Sequence, residues 1–147
     1  MEFPDPALLL KMKREFELFR RFNYSGVARA VELRDSSEGI ALVMQDAPGV
    51  CMEEFLKNNP LPLDLALQIG LNLVELVAEL HRIQIVHKNI NPANFIIDPA
   101  SLALTLVDLS IAMQLDQELV GAVNHKDIEG SLAYISPEQT GRINRPI

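Results

Sequence analysis

The chain has 147 residues, 48% of them hydrophobic, and its 13 lysines and arginines against 20 aspartates and glutamates leave a formal charge of −7. That length suits one domain able to bury a core, and the acidic balance excludes a protein that grips nucleic acid through a clustered basic face. The single cysteine, Cys51, excludes an internal disulfide and a multi-cysteine metal site, and fits a reducing, cytoplasmic setting.

The first residues, Met1-Glu2-Phe3-Pro4-Asp5-Pro6, are acidic and proline-rich where a secretory signal is basic and then apolar, so no signal peptide is expected. From Pro6 to Phe22, Leu8, Leu9, Met12, Phe16, Leu18, Phe19 and Phe22 recur at three- and four-residue steps, which predicts an amphipathic helix. Its basic run, Lys11, Lys13, Arg14, Arg20 and Arg21, reads as a solvated face. After the turn Asn23-Tyr24-Ser25-Gly26, two β-rich runs, Val27 to Leu33 and Ile40 to Met44, predict an antiparallel hairpin. Gln45-Asp46-Ala47-Pro48-Gly49 breaks the pattern and is the candidate hinge. A short helix is expected over Met52 to Lys57, then a long one over Leu63 to Ile83 that is apolar enough all round to belong in a core. Asp64, Gln68, Asn72, Glu75 and Glu79 interrupt that stretch, so it is not expected to cross a membrane. Phe95 to Ile97 and Leu102 to Val107 flank Asp98-Pro99-Ala100-Ser101 and read as a second hairpin; Asp108 to Ile147 reads as an ordered but irregular segment.

The chemistry-bearing stretch is His87-Lys88-Asn89-Ile90-Asn91-Pro92-Ala93-Asn94, with Asp108-Leu109-Ser110 fourteen residues after its last Asn. By residue type alone, Asn94 fills a loop and Asp108 caps a turn. His81 and His125 show no ligand spacing and are expected at ordinary positions.

These residues resemble the protein kinase family, whose catalytic loop reads His-Arg-Asp-Leu-Lys-Pro-x-Asn ahead of a hairpin and an Asp-Phe-Gly motif. Leu80-His81 and Val86-His87 match the family's approach to that loop. Ser136-Pro137-Glu138 stands where kinases carry Ala-Pro-Glu, with Gly130-Ser131 and Tyr134 at the usual interval before it. Glu15 lies eight residues before Asn23, as the family's helix glutamate does before its turn, and Met44 with Gln45, Asp46 and Ala47 resembles the gatekeeper and adenine-binding hinge. In finer texture, Gly130 to Asn144 is similar to the kinase domains that begin large bacterial multi-domain sensor proteins.

The resemblance implies an α+β fold: a partial kinase small lobe over residues 1–44, a hinge over 45–50 and the first half of the helical large lobe over 51–147. It implies ATP and Mg²⁺ as cofactors, with Met44, Gln45, Ala47 and Glu15 toward the nucleotide and Asn94 and Asp108 toward the metal. It implies a catalytic loop with Asn89 and Asn91, Ser131 at the position of a Thr that hydrogen-bonds near the catalytic Asp, His87 as an organiser of that loop, and protein serine or threonine as substrate. Other modules of a larger sensor protein are implied partners; nucleic acid and membrane are not.

The departures from the family are specific. Asn89 stands where the family's catalytic Asp does, and a carboxamide orients a hydroxyl but takes no proton. Asn91 replaces the loop's Lys. No Gly-x-Gly occurs in the sequence, and Lys11 and Lys13 share a helix with Glu15, so the glycine-rich loop and the strand Lys that would pair with Glu15 are missing. Glu15 therefore has no evident partner, and an exposed helix carboxylate is as good a reading of it as the family's glutamate. The chain is expected to stop short of the helices that complete the large lobe and cover its long apolar helix. The expected function is thus kinase-like phosphoryl transfer that is impaired here, or else an inactive pseudokinase-type module that binds nucleotide or protein in bacterial signalling.

Overall fold

The structure, a computed structural model, describes residues 6–36, 39–115 and 130–140. Helix α1 spans Pro6–Arg20 and buries Leu18 and Phe19. Its four basic residues and the Arg21 that follows are exposed, as the solvated-face reading expects. The helix ends two residues before Phe22, where the amides of Arg21 and Phe22 turn back to Leu18 and Phe19 oxygens at 3.0 and 3.2 Å.

Strands β1 (Ala30–Ser36) and β2 (Gly39–Met44) pair antiparallel from Ala30↔Met44 to Ser36↔Gly39. The expected hairpin is present, but its first strand starts at Ala30 and not at Val27. The reason lies in a competing partner: Val27 forms a parallel bridge to Leu106, the Ala28 amide donates to Leu106 O at 2.8 Å, and the Leu106 amide donates to Gly26 O at 2.8 Å. The Gly26 carbonyl and the Ala28 amide are thus committed to another part of the chain.

Beyond the turn come β3 (Val50–Cys51), α2 (Met52–Asn58) and α3 (Leu63–Arg82). Four further short strands follow: β4 (Ile85–Val86), β5 (Phe95–Ile97), β6 (Leu104–Leu106) and β7 (Met113–Gln114). Strands β3, β5 and β6 form a three-stranded antiparallel sheet in that order, and β4 pairs with β7. The β3 strand and the β4–β7 pair were not expected from sequence; residues 113–114 are regular where an irregular segment was predicted.

One face of α3 carries Ile69, Leu76 and Leu80 into the core with Phe19, Ile85, Phe95 and Leu106. The other face is open: Leu63, Leu67, Leu71 and Val74 are 75%, 60%, 59% and 66% exposed. A helix apolar enough all round for a core thus has one buried face, and its other face is the uncovered apolar surface expected where the large lobe's later helices are lacking. Gln84 ends the helix with φ of 61°, its amide bonded to His81 O at 2.9 Å, and the left-handed residue turns the chain into β4. No helix of the described residues is long and apolar enough to cross a membrane.

Candidate functional site

The loop after β4 is built by short side chains that bond their own backbone. Asn91 sits before the 3-10 turn Pro92–Asn94 and its Oδ1 accepts the Ala93 amide at 2.9 Å. Pro92 suits the first position of that turn because it lacks an N–H that would need a partner. The turn brings Asn94 back so that its Nδ2 donates to the Asn89 carbonyl at 2.8 Å. The Asn94 carbonyl in turn accepts the Val107 amide at 3.0 Å, one residue ahead of Asp108. Asn94 and the start of the Asp108 segment are thus held side by side by main chain.

Fixing Nδ2 of Asn94 on the Asn89 carbonyl leaves Oδ1 as the other end of that amide. Asp108 Oδ1 accepts the Ser110 amide at 2.8 Å. No group of three or more His, Cys, Asp or Glu side chains suited to a metal occurs among the described residues. An amide oxygen and a carboxylate match the donor set of Mg²⁺, which takes one or two protein oxygens and completes its shell with phosphate and water.

Glu15 departs from expectation. It is half-buried, and its Oε1 accepts the Leu109 amide at 3.0 Å, so the helix carboxylate has a partner after all: a main-chain N–H and not a lysine. Burial raises its pKa above the usual 4.5; the Leu109 amide opposes this, the Asp108 charge adds to it, and Lys11 offsets a part.

His87 is 3% exposed and lies over Phe95 with ring centroids 6.4 Å apart. Its Nδ1 accepts the Asn89 amide at 3.2 Å, while the buried Nε2 makes no hydrogen bond. Burial lowers its pKa below the usual 6.5, and the Asp108 charge pulls it partly back. An unfolded imidazole protonates near 6.5 and the folded one only at lower pH, so stability contributed by neutral His87 is complete above about 6.5 and drains away as pH falls through the folded value. We expect an NMR titration to place the His87 midpoint below 6.5; a midpoint at or above it would contradict this environment.

The segment 130–140 closes over the loop. Ser131 donates its amide to Asn89 Oδ1 at 3.0 Å, and Asn91 Nδ2 reaches Asn89 Oδ1 at 3.0 Å and Ser131 Oγ at 3.2 Å. Gln139 Nε2 donates to the Lys88 carbonyl at 2.8 Å, and Lys88 itself is left-handed with φ of 67°. Sequence reasoning missed Gln139, because a glutamine beside Ser136-Pro137-Glu138 carries no spacing signal. Asn91 is buried with its amide turned to Asn89 and Ser131.

The structure therefore brings together Glu15, Asn89, Asn91, Asn94, Asp108 and Ser131. Of the other nucleotide-side candidates, Met44 ends β2, half-buried, and the Gln45 amide bonds Arg29 O at 2.8 Å. A cleft of about 1240 Å³ runs along α1, β1 and residues 45–48, lined by Phe16, Arg20, Tyr24, Arg29, Gln45 and Ala47 among others. Met44, Glu15, Asn94 and Asp108 do not line it. His81 is an exposed position of α3, as expected, and His125 lies outside the described residues.

A family model described as the protein kinase domain matches residues 6–145. Among curated relatives, the serine/threonine-protein kinase PrkC of Bacillus subtilis is 28% identical over 136 residues, covering 92% of this chain and 20% of the relative. The serine/threonine-protein kinase pkn2 of Myxococcus xanthus is 28% identical over 132 residues, covering 88% of this chain and 16% of the relative. The serine/threonine-protein kinase PkaA of Streptomyces coelicolor is 26% identical over 137 residues, covering 91% and 25%. The chain spans a quarter or less of the length of each.

Proposed function

Because the chain belongs to the protein kinase domain family, we propose that it is a kinase-like domain that binds ATP with Mg²⁺ and has a severely impaired capacity to transfer phosphate to protein serine or threonine. The observation that carries this reading is the pinned amide of Asn94. With Nδ2 committed to the Asn89 carbonyl, its oxygen end is left for a cation beside the Asp108 segment. Magnesium, when bound, supplies charge neutralisation for the nucleotide phosphates. Asn94 and Asp108 hold it; Met44, Gln45 and Ala47 face the adenine side; and Glu15 steadies the Asp108 segment through the Leu109 amide.

The impairment follows from Asn89, whose carboxamide has no basicity to offer a substrate hydroxyl; general-base help is typically worth about 10² to 10⁴ in rate. Asn91, turned inward, brings no positive charge to a phosphate. The division at residues 45–50 is part of the same reading, supported by the change there from a strand pair to helices. The pseudokinase-type alternative assigns no transfer at all and has the module bind nucleotide or a protein partner.

The test is thermal. At nucleotide about 100-fold above Kd, binding adds about 2.7 kcal/mol, which for a domain of this size raises Tm by roughly 5 to 10 °C. Asp108→Ala is expected to remove that shift while leaving the nucleotide-free Tm nearly unchanged, since Asp108 is not fully buried. An unshifted Tm for the unmodified protein at saturating ATP and Mg²⁺ would sink the proposal.

A further inference from the structure

Asn89 holds more information than the loss of a base. Its Oδ1 accepts two hydrogen bonds, from the Ser131 amide at 3.0 Å and from Asn91 Nδ2 at 3.0 Å. A backbone N–H only donates, so the atom facing Ser131 is the oxygen. Asn91 is oriented as firmly, because its own Oδ1 is taken by the Ala93 amide at 2.9 Å. Gly130 makes this arrangement possible: with φ of 109°, a Cβ there would sit 3.3 Å from Lys88 O and 3.5 Å from Asn89 Oδ1. The segment approaches the loop closely enough for Ser131 to lock the amide.

The other end of the amide is uncommitted. Asn89 Nδ2 makes no hydrogen bond to a described residue, and the side chain is only half-buried. Meanwhile the Asn89 carbonyl is the anchor of Asn94, so the loop that carries this donor also carries the metal-side oxygen. Where an aspartate would offer lone pairs and negative charge, this loop offers two N–H bonds.

On the nucleotide reading above, we propose that Asn89 is a specificity-determining residue that donates from Nδ2 to the terminal phosphoryl group of the bound nucleotide, so that the site prefers a nucleoside triphosphate to a diphosphate. A fully ionised phosphoryl oxygen accepts, which matches the uncommitted donor end of the locked amide; a hydrogen bond from a neutral donor to a charged oxygen is the stronger kind.

Asn89→Asp is a clean test. An aspartate keeps both accepted hydrogen bonds from Ser131 and Asn91, so its fold is maintained, but it turns the uncommitted donor into a carboxylate oxygen. We expect calorimetric titration of the full chain to show ATP·Mg²⁺ bound about ten-fold or more tighter than ADP·Mg²⁺. In Asn89→Asp that preference should vanish through weaker ATP binding. In the unmodified protein, the Asn89 side-chain amide signals should shift in ¹H–¹⁵N spectra with ATP and not with ADP, a readout that needs no variant. If both nucleotides bind with equal affinity, or the Asn89 amide signals stay still as ATP binds, the inference is overturned and the nucleotide site stands. If neither nucleotide binds, both fall together.

Discussion

Phe95→Ala is expected to destabilise the protein by about 3 to 5 kcal/mol, the usual cost of emptying an aromatic position in a closed core. Phe95 is 1% exposed, at the head of β5, paired across the ladder with Leu106. Small domains have only about 5 to 15 kcal/mol in total, so the variant loses a large share. At a urea slope of about 1 to 3 kcal/mol per molar, its midpoint should fall by roughly 2 M. Leu132→Ala, at a side chain 75% exposed, is the control and should move the midpoint hardly at all. The loss reaches the site as well, because the ring is the platform for His87, whose Nδ1 accepts the Asn89 amide. A midpoint for Phe95→Ala within error of the control would show that the β5 ring does not hold the core.

Gly49→Ala should be nearly as damaging, for a different reason. A Cβ built there lies 2.2 Å from the Ile97 carbonyl oxygen and 2.7 Å from its carbon, and both are main-chain atoms that cannot rotate away. The residue also has φ of 125°, where side chains are strained. Relief requires the 45–50 turn to lift off β5, breaking the Val50↔Ile97 and Cys51↔Ile96 pairs. We expect a loss of about 2 to 4 kcal/mol. Gly39→Ala separates the two contributions: φ is 130° but no heavy atom lies within 4 Å of its Cβ, so only the strain of about 1 to 2 kcal/mol applies. Equal denaturation midpoints for the two variants would refute the steric account of Gly49.

How much of this was legible beforehand depended on the range of the forces involved. Helix α1, helix α3 and the β1–β2 hairpin were readable because periodicity is a local signal, carried by residues such as Phe16, Phe19, Leu76 and Leu80. The strand pair of Ile85–Val86 with Met113–Gln114 was not, since two-residue strands have no period and their pairing is set by tertiary contact. Val27 failed as a strand residue for the same reason: its sequence favours extension, but Leu106 outbid β2 for its neighbours' backbone groups. In the site, the residues of the loop were visible by type and order. The locked direction of the Asn89 and Asn94 amides, and the Leu109 amide that meets Glu15, were not, because a one-dimensional string does not say which end of a carboxamide faces its partner.

The seam between residues 26–28 and Leu106 has a thermodynamic consequence. By sequence that short stretch belongs with α1 and the first hairpin, yet its Gly26 carbonyl and Ala28 amide are bonded to β6, whose Leu106 is fully buried. Peeling the hairpin region away would strand amide groups inside a dry interior and uncover Leu106. We therefore expect the hairpin region and β6 to come apart together, like pages bound at one spine, so that a heating curve shows one shared transition in place of two.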